Sequence, residues 1–427
     1  MVPPISVGNA PPLKRTGPQR TYVFHDNGVE TIVIRPGYAG KVTEFGMLVP
    51  LPSLPAIRKA PDEIFSQLAA AVDPPEVVVQ IYDIDRTPRP MAGVMSESAG
   101  AEAAPAKSMA LARDDVRVLK EEAVGMYEMA VLEAGSPKAL QKWMDEHKFA
   151  YPKGMEAVVD DYVKLQWVFV AVRARIGSRD AAGPKPGMKT QPSAEIPAGA
   201  SFDGYLQGMG FRFKVAKPIV PMRLATFNEA DDRRQVVYAL TREGVKLDGV
   251  DEAFVKRQVD GKTLRKNLTD PLPIRVINGK LADLPPDFLA QIAPQRNPAL
   301  FNGEAKELFA ADLIAARSGE MELGLEKDEK DLLEISERLN LRGEGTDQLF
   351  DSELKKKRDA MVADMLKDLD GMTLTVIDGQ PPLELMRDHD ITFAKFKMTG
   401  SKNTRATYNA NSVDPQLTMQ IAIPYYR

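Results

Sequence analysis

"VRVLKEEAVGMYEMAVLEAG", residues 116–135, sets apolar runs on either side of Gly125 and scatters four glutamates through them. Read with a period of two, it is a β-hairpin turning near Gly125, with Val116, Val118, Val131 and Leu132 contributing to a core. On the return strand Tyr127, Met129 and Val131 share one face, and Glu128, Ala130 and Leu132 share the other. Glu128 and Glu133 then point to opposite sides. No two of the glutamates need approach within the roughly 5–10 Å that paired catalytic carboxylates keep. These acids read as the wet decoration of a sheet edge or turn.

Working outward, strand signals dominate the first half of the chain. "TYVFHDNGVETIVIRPGY" (21–38) is two β-rich runs around Asn27-Gly28, the dipeptide that suits a two-residue hairpin turn. "VTEFGMLVPLPS" (42–53), "EVVVQIYDI" (76–84), "WVFVAVRARI" (167–176), "FRFKVAKPIVPMRLATFN" (211–228) and "QVVYALTREG" (235–244) supply further strands. "DEIFSQLAAAV" and "GMEAVVDDYVKL" are short helices. Between 136 and 147 the punctuation is clear: Ser136 as cap, Pro137 in the first turn, then Leu140, Trp143, Met144 and His147 at helical spacing. Two polar stretches, 87–115 and 181–201, are poor in large apolar residues and broken by proline or glycine, and read as mobile loops.

Beyond about residue 250 the texture becomes more helical. "EAKELFAADLIAARSG", "KDEKDLLEISERLNL" and "DSELKKKRDAMVADMLKDLDG" are charged helices with apolar stripes, and "MTLTVIDG" and "LTMQIAIPYY" return to strand. The fold expected is α+β: a leader over 1–20, a β-rich, sandwich-like antiparallel domain over 21–248, and an α+β region over 249–427. No repeat of fixed period is evident.

The 427 residues carry 56 basic and 60 acidic side chains, a net charge of −4, so no overall field draws the chain to nucleic acid or an anionic membrane. The absence of cysteine excludes disulfides, thiolate catalysis and cysteine-held metals. No apolar run is long enough to span a bilayer. "MVPPISVGNAPPLKRTGPQR" reads as a disordered leader, such as remains once a signal peptide has been removed.

The blocks "EFGMLVPLPSLP", "DEIFSQL", "VRVLKEEAVGMYEMAVLEAGSPKALQKWMDEHKFAYPKG", "VDDYVKLQWVFVAVRAR" and "PIVPMRLA" resemble, in order and spacing, the bacterial family known as domain of unknown function 2330. The resemblance covers roughly residues 20 to 245, with "MRDHDITFAKF" weakly similar to the family's later part. It implies a secretion signal, often with a membrane anchor, and hence an extracytoplasmic place. This chain departs from the pattern in lacking cysteines near its start and an anchor. The resemblance brings no activity and no catalytic residues.

Nor do the residues themselves nominate a catalytic, cofactor-binding or metal-ligating set. The histidines are His25, His147 and His389, none in an HExxH or similar spacing. Asp388-His389-Asp390 comes nearest to a metal contact. Asp83/Asp85, Asp160/Asp161 and Asp231/Asp232 read as solvated helix starts or turns and lack the EF-hand pattern. There is no GxSxG, GxGxxG or phosphate-loop lysine, and "LKKKR" (354–358) reads as a solvated helix face. The expectation is an extracytoplasmic structural or interaction module, with no cofactor, engaging an unidentified protein or cell-envelope partner. The competing expectation is a hydrolase or carbohydrate-acting enzyme whose carboxylates meet only in the fold.

Overall fold

A computed structural model describes residues 5–6, 14–15, 18–35, 37–40, 44–60, 64–74, 76–81, 116–124, 127–175, 189–191, 202–205, 208–227, 233–277, 279–292, 304–322, 347–399, 405–414 and 417–424. The quoted stretch is a hairpin. Val116–Val124 and Tyr127–Ala134 pair antiparallel from Tyr127 opposite Val124 to Ala134 opposite Val116, with a bulge where Val131 and Leu132 face Lys120 and Val118. The second hairpin, Gln19–Asp26 and Val29–Arg35, turns through Asn27 (φ 49°) and Gly28 (φ 76°), the left-handed pair that matches strand twist in a tight turn.

These hairpins seed two large sheets. One has six strands in the order Ile5–Ser6, Glu44–Leu51, Val168–Arg175, Tyr127–Ala134, Val116–Val124 and Lys189–Gln191, the last joined in parallel. The other has seven: Val255–Asp260, Thr373–Gly379, Gln235–Thr241, Gln19–Asp26, Val29–Arg35, Gly208–Lys214 and Ala56–Ala60. It takes strands from both sides of residue 249, because Thr373–Gly379 pairs with Gln235–Thr241 and with Val255–Asp260.

Alternation explains how the sheets stack. Val23, Ile32, Ile34, Phe211 and Phe213 of the seven-stranded sheet share one core with Met47, Val49, Met129, Val131 and Val170 of the six-stranded sheet, as in a sandwich. The intervening residues Tyr22, Phe24, Val33 and Tyr238 point the other way, into a second core built with Leu68, Leu264, Phe309, Leu313 and Met365 from helices. The seven-stranded sheet is therefore covered on both faces, and its strands Val29–Arg35, Gly208–Lys214 and Gln235–Thr241 are almost continuously buried. The architecture is α+β, β-rich first and more helical later, as expected.

Helices Pro137–Glu146 and Glu156–Lys164 add to the sandwich core. The first starts where the sequence places it: the Ser136 hydroxyl accepts the Ala139 N–H at 3.1 Å. Leu140, Trp143 and Met144 are buried, while His147 ends the helix in the open with its ring stacked 3.9 Å from that of Trp143. Trp143→Ala is expected to cost about 3 kcal/mol, the lower end for a large buried aromatic since some of its ring rests on surface groups. A urea midpoint equal to that of the parent would contradict this.

Two details of the quoted hairpin differ from expectation. Val118 is 38% exposed rather than in the core. The bulge sets Val118 opposite Leu132 and Lys120 opposite Val131, so Val118 leaves the face that Lys120 and Glu122 share with Met129 and Val131. Glu122, conversely, is fully buried: it sits opposite Met129, on the core side, and takes an ion pair from Lys120 Nζ at 2.9 Å. Burial pulls the Lys120 pKa down, but Glu122 and Glu322 outweigh that and hold it above its ordinary value. The loop expected at 87–115 lies outside the described residues, as does that at 181–201 apart from Lys189–Gln191. The expected helix at 327–341 also lies outside them.

Candidate functional site

Between the end of helix Glu156–Lys164 and the small sheet of Ile219–Val220, Ile391–Lys395 and Val245–Leu247 lies an open cleft of about 520 Å³. Leu165, Trp167, Leu247, Val250, Leu385 and Ile391 give it apolar walls, and Arg223, Asp248, Asp388, His389 and Asp390 bring charge or polarity. Gln166 is left-handed (φ 59°), which ends the helix abruptly and turns the chain into strand Val168–Arg175. Leu165 is left 62% exposed at this corner, and Trp167 stacks on Tyr162 with ring centroids 4.9 Å apart.

Much of the polar chemistry of the cleft is already engaged in holding it together. Asp390 Oδ1 accepts the Tyr162 hydroxyl at 2.6 Å and the Met222 N–H at 2.9 Å, tying helix, 3-10 turn and strand to one carboxylate. Burial, then Asp390, pushes the Tyr162 phenol far above its ordinary pKa, so it remains a donor. Arg223 donates to Asp161 at 2.7 Å and to the Arg387 carbonyl at 3.1 Å, and its guanidinium lies 5.7 Å from the Tyr162 ring centre.

The cleft wall is also anchored from behind. Glu30, fully buried, accepts the backbone N–H of Ile219 on both carboxyl oxygens at 3.1–3.2 Å. Burial raises its pKa well above 4.5, only partly opposed by that N–H. Below about pH 4.5 folded and unfolded chains both hold the proton, so Glu30 imposes no pH dependence. Above it the unfolded chain ionises while the folded one stays neutral, and stability falls by about 1.4 kcal/mol per pH unit until the folded pKa is reached. Glu30→Gln should therefore match the parent near pH 4 and be more stable at pH 8. Urea midpoints at the two pH values measure this, and a difference independent of pH would show that Glu30 is ionised when buried.

The structure disperses most of the residues that the sequence brought forward. Glu128 opposes Arg173 across the sheet, and exposed Glu133 lies 3.4 Å from Arg117. His25 bonds the Val215 carbonyl at 3.1 Å, and burial lowers its pKa. Asp160 pairs with Lys164 and Asp161 with Arg223, whereas Asp83, Asp85, Asp231 and Asp232 lie outside the described residues. Lys355, Lys356 and Lys357 are exposed, and Arg358 pairs with Glu307 at 2.7 Å. Among the described residues no group of three His, Asp or Glu is placed to hold a metal ion. Asp388, His389 and Asp390 do come to a cleft, and there they meet Trp167 and Leu165, which the sequence gave no reason to join to them.

The profile of a family described as "Uncharacterized protein conserved in bacteria (DUF2330)" matches residues 14–284. No curated protein matches the chain. Among solved structures, the crystal structure of baculovirus P35 is similar with a TM-score of 0.28 and 14% identity, over 60% of this chain and 70% of that one. No helix of the described residues is long and apolar enough to cross a membrane.

Proposed function

We propose that this chain, which belongs to the bacterial DUF2330 family, is an extracytoplasmic interaction module that binds its partner in the Trp167 cleft and catalyses no reaction. The observation that carries this reading is how the polar groups of the cleft are used. Asp390 is occupied by Tyr162 and Met222, and Arg223 by Asp161 and Arg387, so they act as struts of the wall. What remains open is apolar surface on Leu165, Trp167 and Leu385 with a few polar groups around it, the composition of a recognition site. The extracytoplasmic place is supported by the secretion signals typical of the chains that these sequence blocks resemble.

Asp388 and His389, exposed side by side on one wall, favour the second reading, a hydrolase. One experiment separates the two. The protein is incubated with a panel of capped peptides and soluble oligosaccharides, with binding followed by calorimetry and products by mass spectrometry. Binding without turnover, lost in Trp167→Ala, is the expected result. Product formation that Asp388→Asn abolishes would replace this reading with the enzymatic one.

A further inference from the structure

We infer that the occupant of the Trp167 cleft is a lysine- or arginine-bearing segment of a protein partner, its cation held by Asp388 and Asp248 and its aliphatic stem laid on Trp167 and Leu165. This deepens the proposed function and rests on it.

The argument begins with which charges are unspent. Arg223 and Asp390 are engaged in the wall. Asp388 is exposed and makes no side-chain hydrogen bond among the described residues. Asp248 is exposed too, and its Oδ1 accepts the Gly249 N–H of its own turn at 3.1 Å. Both available charges are negative, so charge complementarity selects a cation. Apolar surface in the same cleft selects a cation with an apolar body. Tyr162 takes up part of the Trp167 ring, and the remainder lines the cleft, where indole is the aromatic that best attracts ammonium or guanidinium. Lysine and arginine bring both parts on one side chain, since their stems lie along apolar surface while the head seeks charge.

The shape favours a chain over a small amine. Sites for small ligands enclose about 70–90% of the ligand surface, which an open cleft does not do. Leu165, 62% exposed, carries the apolar surface outward past the rim, so an occupant can continue beyond the cleft.

The chain has two tryptophans, so the full-length Trp143→Phe variant makes Trp167 the sole indole reporter. The probes are capped Gly-Leu-Xaa-Leu-Gly peptides with Xaa arginine, lysine, norleucine or glutamate, together with arginine methyl ester. The arginine and lysine peptides should change Trp167 fluorescence saturably, and the norleucine and glutamate peptides should bind at least about tenfold more weakly, the scale of one charge-assisted contact. Asp388→Asn, on an exposed site, should keep the parent melting curve and lose about tenfold in affinity for the arginine peptide. Equal binding of the norleucine peptide would overturn the cation while leaving the cleft as a binding surface. Arginine methyl ester binding as tightly as the peptide would overturn the protein segment as occupant. Oligosaccharides that perturb Trp167 where no peptide does would overturn the inference and leave the interaction module standing. Silence of Trp167 toward every probe of both panels would overturn both.

Discussion

Asp312→Ala is expected to destabilise the protein by about 3–5 kcal/mol, the usual cost of removing one partner from a buried ion pair. Asp312 is wholly inaccessible on helix Glu304–Ser318, and Arg212, on the face of strand Gly208–Lys214 turned toward that helix, is 1% exposed. The pair is 2.8 Å apart. Asp312 Oδ1 also accepts the Thr31 hydroxyl at 2.7 Å, and Oδ2 accepts the Tyr22 hydroxyl at 3.0 Å. Burial first, and the neighbouring carboxylate second, hold the Tyr22 phenol well above its ordinary pKa, so it donates throughout the working range. Alanine would leave a guanidinium, a phenol and a threonine hydroxyl facing a hole in the second core. That desolvation penalty, more than the lost attraction, sets the magnitude. The double replacement Arg212→Met with Asp312→Leu, which removes both charges and fills the hole, should recover the part of the loss due to the guanidinium, while the Tyr22 and Thr31 hydroxyls still lack the Asp312 acceptor. Guanidinium denaturation of the parent and the two variants at pH 7 measures this. A single-variant loss below about 1 kcal/mol would mean that water reaches the pair.

That pair also marks where the sequence stops being legible. Hairpins and capped helices are decided by neighbours: Asn27-Gly28 needs only its own left-handed preference, and Ser136 needs only the N–H of Ala139 three residues on. Arg212 and Lys214 follow the same alternation and belong to the same face, yet Lys214 is exposed and Arg212 is not. The difference comes from helix Glu304–Ser318, about a hundred residues later, which brings Asp312 over one of them. Glu122 and Val118 show a second limit: plain alternation gives them one face, and the bulge between Val131 and Leu132 sends them to opposite ones, burying the glutamate and exposing the valine. The cleft is less legible still. It is assembled from 165–167, 219–223, 247–250 and 385–392, and "RDHD" announces polar groups without announcing that a tryptophan from the middle of the chain will lie among them. Periodicity reports which face a residue occupies, and tertiary pairing reports what covers that face.

The largest effect is expected from one methyl group, in Gly261→Ala, with a loss above about 4 kcal/mol or no folded protein at all. Gly261 opens helix Gly261–Thr269 immediately after strand Val255–Asp260, and Asp260 caps it by accepting the Thr263 N–H at 3.0 Å. The Gly261 N–H donates to the Met372 carbonyl at 2.8 Å, which draws the backbone of the helix start against the 3-10 turn Leu366–Gly371. A Cβ at this position would lie 1.5 Å from the carbonyl oxygen of Leu369 and 2.3 Å from its carbon. Those are backbone atoms, so no rotamer change clears them. Leu369 and Met372 are themselves buried, at 0% and 2% exposure, and Met372 leads directly into Thr373–Gly379, second strand of the seven-stranded sheet. Relief would therefore have to separate the helix start from that turn and disturb the pairing of Val255–Asp260 with Thr373–Gly379. Gly319→Ala is the control. Gly319 is left-handed (φ 75°) but has no atom within 4 Å of an added Cβ, so only backbone strain of about 1–2 kcal/mol should register. Thermal and urea unfolding of the two variants side by side measure the contrast. Equal losses would show that the helix start is not packed against Leu369 as closely as the structure has it.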